Sequence, residues 1–181
     1  MSRIHLVDPQ SATGRASELL TAVEKKLGLI PNMTRGMAVA PAALEAYLAA
    51  SDALSRGALP GRVREQLALT VAEANGCGYC LAAHSLIGGK LGLSEDEVLA
   101  ARRAEAPDAS TAALLRFARQ VAEHRGRVSE ADLEAVRAAG YGDDAIAEVI
   151  AHVALNVLTN YFNNVAETPI DFPAVPELAR A

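Results

Sequence analysis

Helix start and stop signals recur at short intervals along these 181 residues and leave little room for a sheet. Between the signals, apolar residues recur three and four positions apart, and no stretch alternates as a half-buried strand would. Alanine is abundant and aromatic residues make up only 4% of the chain, which favours closely packed helices. The sequence therefore predicts an all-α protein of eight or nine helices. The signals are Ser11 or Thr13, Gly28, Pro41, Pro60, Gly92, Ser94, Asp108 or Ser110, Ser129 and Gly142.

One domain is expected over residues 1–181, because no linker long enough to divide the chain is present. The ends, residues 1–12 and the tail after Thr168, are expected to be extended. The predicted buried stripe of the first helix is Leu19, Leu20, Val23 and Leu27. The predicted helices cover about 13–27, 33–40, 41–57, 62–74, 77–90, 95–104, 108–123, 130–138 and 143–167.

Charge and composition argue against several classes of partner. Hydrophobic residues make up 51% of the chain, which is typical of a globular protein. The net charge of −5 and the lack of a basic stripe argue against nucleic acid. No uninterrupted apolar run approaches the ~20 residues that span a bilayer, and the N-terminus lacks the apolar core of a signal peptide. We therefore expect a cytoplasmic protein that does not enter a membrane.

Both cysteines lie in one short motif, Cys77-Gly78-Tyr79-Cys80, and His84 follows four residues later. On a helix these spacings place the two sulfurs and the imidazole on one face. The preceding Asn75-Gly76 turn puts the cysteines in the first helical turn, where free N–H groups and the helix dipole favour a thiolate. The motif predicts a redox-active dithiol with a histidine beside it.

Three other interpretations of the cysteines remain open at this point. They are packing without chemistry, a structural zinc site and a structural disulfide. Zinc would require ligands beyond the single CxxC motif. Glu65 lies twelve residues before Cys77 and shares a helix face with Leu69 and Ala72, so it either points inward or is an acid of a first helical turn.

A polar stripe on the last predicted helix consists of His152, Asn156, Asn160 and Asn164. Apolar residues flank the stripe, so a buried network, a subunit interface and a pocket wall are all possible, and a structural or interface role is favoured. Tyr161 and Phe162 beside it suggest an association surface. We therefore expect at least a homodimer.

The spacing Glu65, eleven residues, Cys77-Gly78-Tyr79-Cys80, three residues, His84 resembles the core motif of AhpD-like alkylhydroperoxidases in the carboxymuconolactone decarboxylase superfamily. Leu29-Ile30-Pro31-Asn32 and residues 160–166 resemble the peroxidase-related branch of that superfamily. The resemblance is densest over about 27–92, the expected redox core, and over 152–167 within the expected C-terminal helix and tail, 143–181.

The resemblance implies an oligomeric, AhpD-like bundle of helices that reduces organic hydroperoxides without metal or cofactor. It implies that Cys80 attacks the peroxide, that Cys77 resolves it, and that His84 and Glu65 form a proton relay. A partner carrying a thiol or lipoyl group would reduce the disulfide. The sequence departs from the family at Tyr79, where characterised peroxidases have a second relay histidine.

The choice between the two cysteines can be weighed from helix physics as well. The dipole favours a thiolate at Cys77, by about 1 kcal/mol. The spacing to His84 favours Cys80, and a general base contributes ~10²–10⁴-fold in rate, so Cys80 is the predicted nucleophile. Alternative functions are a thiol-disulfide reductase or redox sensor acting on a protein, a carboxymuconolactone decarboxylase-type enzyme using His84 and Glu65, and a metal-stabilised interaction module.

Overall fold

The computed structural model describes residues 2–176 and 178, and within them the chain forms nine helices and no strand. The prediction of an all-α protein is confirmed. The helices are α1 (Gly14–Leu27), α2 (Asn32–Met37), α3 (Pro41–Ser55), α4 (Gly61–Ala74), α5 (Gly78–Lys90), α6 (Glu95–Arg102), α7 (Ala109–Glu123), α8 (Glu130–Ala138) and α9 (Asp143–Ala166).

The capping residues identified in the sequence begin and end most of these helices. Ser94 forms a capping box with Glu97, and the Asp108 carboxylate accepts a hydrogen bond from the Thr111 N–H. Gly28 ends α1 in the left-handed region at φ 76°. The predicted end of α6 at residue 104 is wrong by two residues, because Ala104 turns the chain with φ 60°.

Helix α4 lies at the centre of the fold. Every residue from Gln66 to Ala72 is buried, and α4 packs against α5, α6, α7 and α9. The buried stretch is apolar apart from Gln66 and Thr70, and the Thr70 hydroxyl donates to the Ala101 carbonyl at 2.6 Å, as its burial requires. By contrast, the predicted burial of Leu27 is wrong: its side chain is 49% exposed at the end of α1, where it lines a cavity between the helices.

Helix α9 is the longest element. By length and composition its 24 residues are sufficient to cross a bilayer, with a mean hydropathy of 1.3 over 18 residues, contrary to the expectation from the sequence. The core helix of a globular protein passes the same test, and α9 packs against α4, α7 and α3. Its buried face carries asparagines as well as apolar residues.

As predicted, neither residues 2–12 nor the described part of the tail forms a helix, although residues 9–11 make a turn, and hydrogen bonds fix both segments to the helices. The Arg3 N–H donates to the Ala166 carbonyl at 2.7 Å. In the tail, the Asp171 carboxylate accepts from the Asn32 N–H at 2.7 Å, and the Pro176 carbonyl accepts from the Arg102 guanidinium at 2.8 Å. The tail therefore runs across the start of α5. Residues 177 and 179–181 of the expected tail lie outside the described residues.

Candidate active site

The two cysteines occupy different positions at the start of α5. Cys77 is the N-cap residue, and its sulfur accepts a hydrogen bond from the Cys80 N–H at 3.3 Å. Cys80 is the third residue of the helix. The prediction that both lie within the first turn is therefore corrected for Cys77, whose extended backbone places it just outside the helix.

Both thiols are free, and they differ in their access to a ligand. Cys77 is 0% exposed and Cys80 is 3% exposed. Cys80 lines a cavity of about 300 Å³, whereas Cys77 is not among the residues that line it. A small molecule in the cavity therefore meets Cys80 first.

Glu65 and His84 also line this cavity and contact each other. The Glu65 Oε2 atom lies 2.7 Å from His84 Nδ1, which joins α4 to α5. Burial lowers the pKa of His84, but the Glu65 carboxylate outweighs burial, so that the pKa of His84 is raised above its usual 6.5. Glu65 thus points inward, and the imidazole beside it is biased toward the charged form.

The helices approach each other closely at this pair because α5 carries a glycine there. A methyl group on Gly88 would lie 2.8 Å from a Leu93 methyl carbon and 3.7 Å from the Glu65 Cβ. Any larger residue at position 88 would therefore push against its neighbours beside Glu65.

The surroundings of the two thiols shift their pKa values in opposite directions. The Cys77 thiol as hydrogen-bond donor, the charge of His84 and the amides of Asn163 and Asn160 outweigh burial and lower the pKa of Cys80 to about 6. The same hydrogen bond, together with burial, raises the pKa of Cys77. Cys80 is therefore the thiol that ionises first. This agrees with the prediction from the spacing to His84 and not with the preference of the helix dipole for Cys77.

Helix α9 contributes the asparagines that contact this centre. The Asn163 amide donates a hydrogen bond to the Cys80 sulfur at 3.3 Å. Asn160 is 0% exposed, and its carbonyl oxygen accepts from the Asn75 amide at 2.9 Å. Of the predicted polar stripe, His152, Asn156 and Asn160 are buried, whereas Asn164 is exposed and donates to the Asn75 carbonyl.

Sequence reasoning missed Asn163 because the stripe was traced in steps of four. Eleven residues turn an α-helix through three turns plus roughly 20°, whereas twelve residues overshoot by roughly 120°. Asn163 therefore stays on the face of His152, and Asn164 leaves it. The signal was available in the sequence, since the stretch 160–166 already matched the peroxidase-related pattern.

Tyr79, at the position of the family's second relay histidine, is held in the wall of the cavity. Its hydroxyl accepts a hydrogen bond from the Met33 N–H at 3.2 Å, and its ring packs edge-on against Phe172 at 5.4 Å. Burial raises the pKa of Tyr79. The side chain therefore stays protonated and connects α2 and the tail to α5.

A second imidazole faces the same cavity from α9. His152 is 6% exposed, and its Nε2 lies 3.6 Å from Glu148 Oε1. Burial and the nearby Arg64 lower the pKa of His152.

Most of the residues that line the cavity are apolar. The full set is Leu27, Leu29, Pro31, Met33, Thr34, Tyr47, Ser51, Leu54, Ser55, Arg64, Glu65, Ala68, Tyr79, Cys80, Ala83, His84, Leu86, Ile87, Lys90, His152, Leu155, Asn156, Thr159 and Phe172.

The described residues contain no group of three or more His, Cys, Asp or Glu side chains arranged to hold a metal ion. The two sulfurs and His84 therefore come without the further acidic or thiol ligands of a closed zinc site.

Comparison with known proteins gives one family and several solved structures. Residues 40–124 match the carboxymuconolactone decarboxylase family, and this range contains Glu65, Cys77, Cys80 and His84. No curated protein sequence matches the chain.

The solved structures share the whole fold. An alkylhydroperoxidase AhpD core, a peroxidase-related protein from Ralstonia eutropha JMP134, is 28% identical with a TM-score of 0.82 over 94% of this chain and 92% of that one. A peroxidase-related protein from Silicibacter sp. TM1040 is 23% identical, with a TM-score of 0.80 over 92% of this chain and 89% of that one. The debrominase Bmp8 is 18% identical in its complex with 2,3,4-tribromopyrrole, with a TM-score of 0.80 over 94% and 92%. The family match across the cysteine and glutamate helices, together with the fold shared with the AhpD core, supports an AhpD-like assignment within the carboxymuconolactone decarboxylase superfamily.

Proposed function

We propose that this protein is a peroxidase of the alkylhydroperoxidase type, which reduces organic hydroperoxides with the Cys77–Cys80 dithiol. The observation that carries the proposal is the position of Cys80: its sulfur lines the cavity, accepts an amide hydrogen bond at 3.3 Å, and shares the cavity with a carboxylate-bound imidazole. A thiolate is the nucleophilic form of cysteine, and each of these contacts favours it.

The reaction proceeds in two steps within the protein. The Cys80 thiolate attacks one peroxide oxygen; a sulfur–oxygen bond forms, the oxygen–oxygen bond breaks, and the other oxygen leaves as an alkoxide that takes up a proton to become the alcohol. The Cys77 thiol then attacks the sulfenic acid on Cys80, forming the disulfide and releasing water. The dithiol has lost two electrons and the peroxide has gained them.

His84 handles the protons of this cycle. Its Nδ1 is engaged by Glu65, which leaves Nε2 to exchange a proton with the reacting groups. No direct hydrogen bond joins His84 to Cys80 in the described structure, so the proton passes through solvent or substrate in the cavity that both residues line. The Cys80 proton is taken up in this way, and the leaving alkoxide receives one.

The size and lining of the cavity favour an organic substrate over hydrogen peroxide. About 300 Å³ is the lower end of the range for small-molecule sites and far exceeds the space of one water-sized ligand. Leucine, isoleucine, methionine and aromatic side chains dominate the wall. An alkyl or aryl hydroperoxide would bury its carbon skeleton against them.

We propose further that a separate protein with a thiol or lipoyl group regenerates the dithiol, that the chain is one domain, and that it acts in the cytoplasm as a homo-oligomer. An exposed apolar stripe on α9 supports the oligomer: Ile150, Leu158, Tyr161 and Val165 are each between 47% and 64% exposed. Size measurement by light scattering tests the oligomer, and a monomer would refute it.

The decisive variants are the two cysteine-to-serine changes. Cys80→Ser should abolish consumption of cumene hydroperoxide, because no nucleophile remains at the cavity. Cys77→Ser, the matched control, should still react once and leave a sulfenic acid on Cys80 that dimedone labels. Full peroxide turnover by Cys80→Ser, or dimedone labelling of neither cysteine after peroxide, would refute the proposal.

A second candidate function is reductive debromination of a halogenated aromatic compound. The favouring observation is the apolar cavity beside a cysteine in a fold shared with Bmp8, a debrominase whose structure holds 2,3,4-tribromopyrrole. Two thiols can supply the same two electrons: the carbon–bromine bond breaks, bromide leaves, the carbon takes up a proton to form a carbon–hydrogen bond, and the two thiols lose their protons and become a disulfide. Parallel assays with cumene hydroperoxide and tribromopyrrole separate the two activities.

A thiol-disulfide reductase and a decarboxylase-type enzyme would behave differently in the same assays. The reductase would reduce a protein disulfide, yet leave an organic hydroperoxide untouched. The decarboxylase-type enzyme would keep its activity in Cys80→Ser and lose it in a His84 variant. The cysteine variants and this set of substrates therefore distinguish all four functions.

A further inference from the structure

Two buried amides of α9 face the Cys80 sulfur. Asn163 is 3% exposed and donates to Cys80 Sγ at 3.3 Å. Asn160 is 0% exposed and lies one helical turn earlier on the same face. Both side chains come from a helix remote in sequence from the CxxC motif.

The orientation of Asn160 is fixed by a third asparagine. The Asn75 amide, in the turn just before Cys77, donates to Asn160 Oδ1 at 2.9 Å. Because the amide oxygen is engaged there, the NH₂ group of Asn160 projects to the other side. Its nitrogen is fully buried and finds no acceptor among the described residues.

A buried amide donor without an acceptor is costly, whereas an anion nearby would satisfy it. A neutral thiol is a weak acceptor, and a thiolate beside two N–H donors is a strong one. The amides of Asn160 and Asn163 both favour the Cys80 thiolate, and this effect is separate from that of His84. A thiolate at Cys80 would give the Asn160 amide the anionic acceptor that it lacks.

We propose that Asn160 and Asn163 form a two-donor amide cradle that holds the Cys80 sulfur as a thiolate, with Asn75 orienting Asn160. The cradle makes Asn163 a catalytic residue, since it touches the reacting sulfur, and makes Asn75 a positioning residue. It also accounts for the difference between the cysteines, because Asn163 donates to the Cys80 sulfur at 3.3 Å, while the Cys77 sulfur caps the helix by accepting from the Cys80 N–H. This inference rests on the peroxidase proposal and deepens it by assigning the source of the nucleophile's activation.

The test measures ionisation of Cys80 without any peroxide. The pH dependence of Cys80 alkylation by iodoacetamide, with the modified residue located by mass spectrometry, gives the midpoint for the thiolate in the intact protein. Asn163→Leu keeps the size of the side chain and removes the donor. We expect the midpoint to rise by about one pH unit, which lowers the thiolate fraction about tenfold below the midpoint.

A matched pair of charge variants sharpens the test. Asn163→Asp is isosteric and replaces the donor with a carboxylate, so the midpoint should rise further than in Asn163→Leu. Ala154→Asp places the same charge on an exposed position of α9, where solvent screens it, and should move the midpoint far less. An unchanged midpoint in folded Asn163→Leu, or equal shifts in Asn163→Asp and Ala154→Asp, overturns the cradle.

The unmodified protein provides a second measurement that does not depend on a variant folding. The side-chain amide NMR signals of Asn160 and Asn163 should both titrate at the alkylation midpoint of Cys80. Failure of either signal to move through that midpoint overturns the two-donor arrangement. If the unmodified protein shows these shifts but does not turn over peroxide, the proposed function is refuted and the cradle is not.

Discussion

Two imidazoles face one cavity from different helices, each with a carboxylate beside it, and their surroundings shift their pKa values in opposite directions. Glu65 contacts His84 at 2.7 Å and raises the pKa of that histidine. Glu148 lies 3.6 Å from His152, whose pKa is lowered. Both rings are largely buried, so burial alone does not explain the difference.

The difference arises from what else each carboxylate and ring contacts. Glu148 accepts hydrogen bonds from the Ala58 and Leu59 N–H groups, at 2.7 and 3.0 Å, so its oxygens are already engaged. Arg64 adds a positive charge near His152. Glu148, at 3.6 Å from the ring and bound to the loop, therefore does not offset burial and Arg64 at His152, whereas Glu65 at 2.7 Å outweighs burial at His84.

The largest expected effect separates the two histidines by substituting each with glutamine. His84→Gln removes the proton acceptor for Cys80 and should slow peroxide-driven disulfide formation by ~10²–10⁴-fold. His152→Gln should slow it less than about tenfold, since a neutral ring in the wall affects substrate fit rather than proton transfer. Stopped-flow measurement of single-turnover oxidation checks both, with His124→Gln, an exposed histidine, as the control. Equal losses in the two cavity variants would contradict the assignment.

A smaller effect is expected from Glu65→Gln, which keeps the shape of the pair and removes its charge. The pKa of His84 should fall below its value in the unmodified protein, whereas that of His152 should change little; histidine NMR titration measures both. Because the pKa of His84 is raised on folding, this pair stabilises the protein below about pH 6.5, the unfolded value, and the contribution is lost as pH rises through the folded pKa. The stability difference between the unmodified protein and Glu65→Gln should therefore shrink from pH 6 to pH 9. A constant difference would contradict the charged pair.

The smallest effect on activity is expected from Glu148→Ala, which should act on stability. Removing the acceptor of the Leu59 N–H should lower the free energy of unfolding by about 1–2 kcal/mol. Since folding lowers the pKa of Glu148, its contribution is present above the unfolded value of 4.5 and is lost as pH falls through the folded pKa. Urea unfolding at pH 7 and pH 4, with the exposed Glu134→Ala as control, should show a larger difference at pH 7 than at pH 4. A difference that persists unchanged at pH 4 would refute this account.

The local features of the fold could be predicted because neighbours in sequence determine them. Ser94 with Glu97, Asp108 and Gly28 mark helix ends through contacts within four residues, and each does so in the structure. The predicted burial of Leu27 was wrong because burial at the end of a helix depends on what packs there, and the spacing of apolar residues along the chain does not show that.

The candidate site likewise contains residues that the sequence could predict and residues that only the packing of the helices brings together. The spacing of Cys77, Cys80 and His84 places their side chains near each other by helix geometry, and the resemblance to AhpD-like proteins supplied Glu65. Asn163 and Glu148 were not identified from the sequence, and a pocket wall was one of three possible roles for His152. These residues come from α9, about 70 to 80 positions away, and only the packing of α9 on α4 and α5 brings Asn163 to the sulfur and His152 to the cavity.

By itself, the amino-acid sequence determined the helices, their caps and the order of sulfur, sulfur and imidazole along α5, because each depends on hydrogen bonds and steric contacts within one or two turns. Only the tertiary structure decided which thiol carries the charge and which histidine gains it. Those outcomes depend on burial and on charges and donors from other helices, and such forces act through space between residues far apart in the chain.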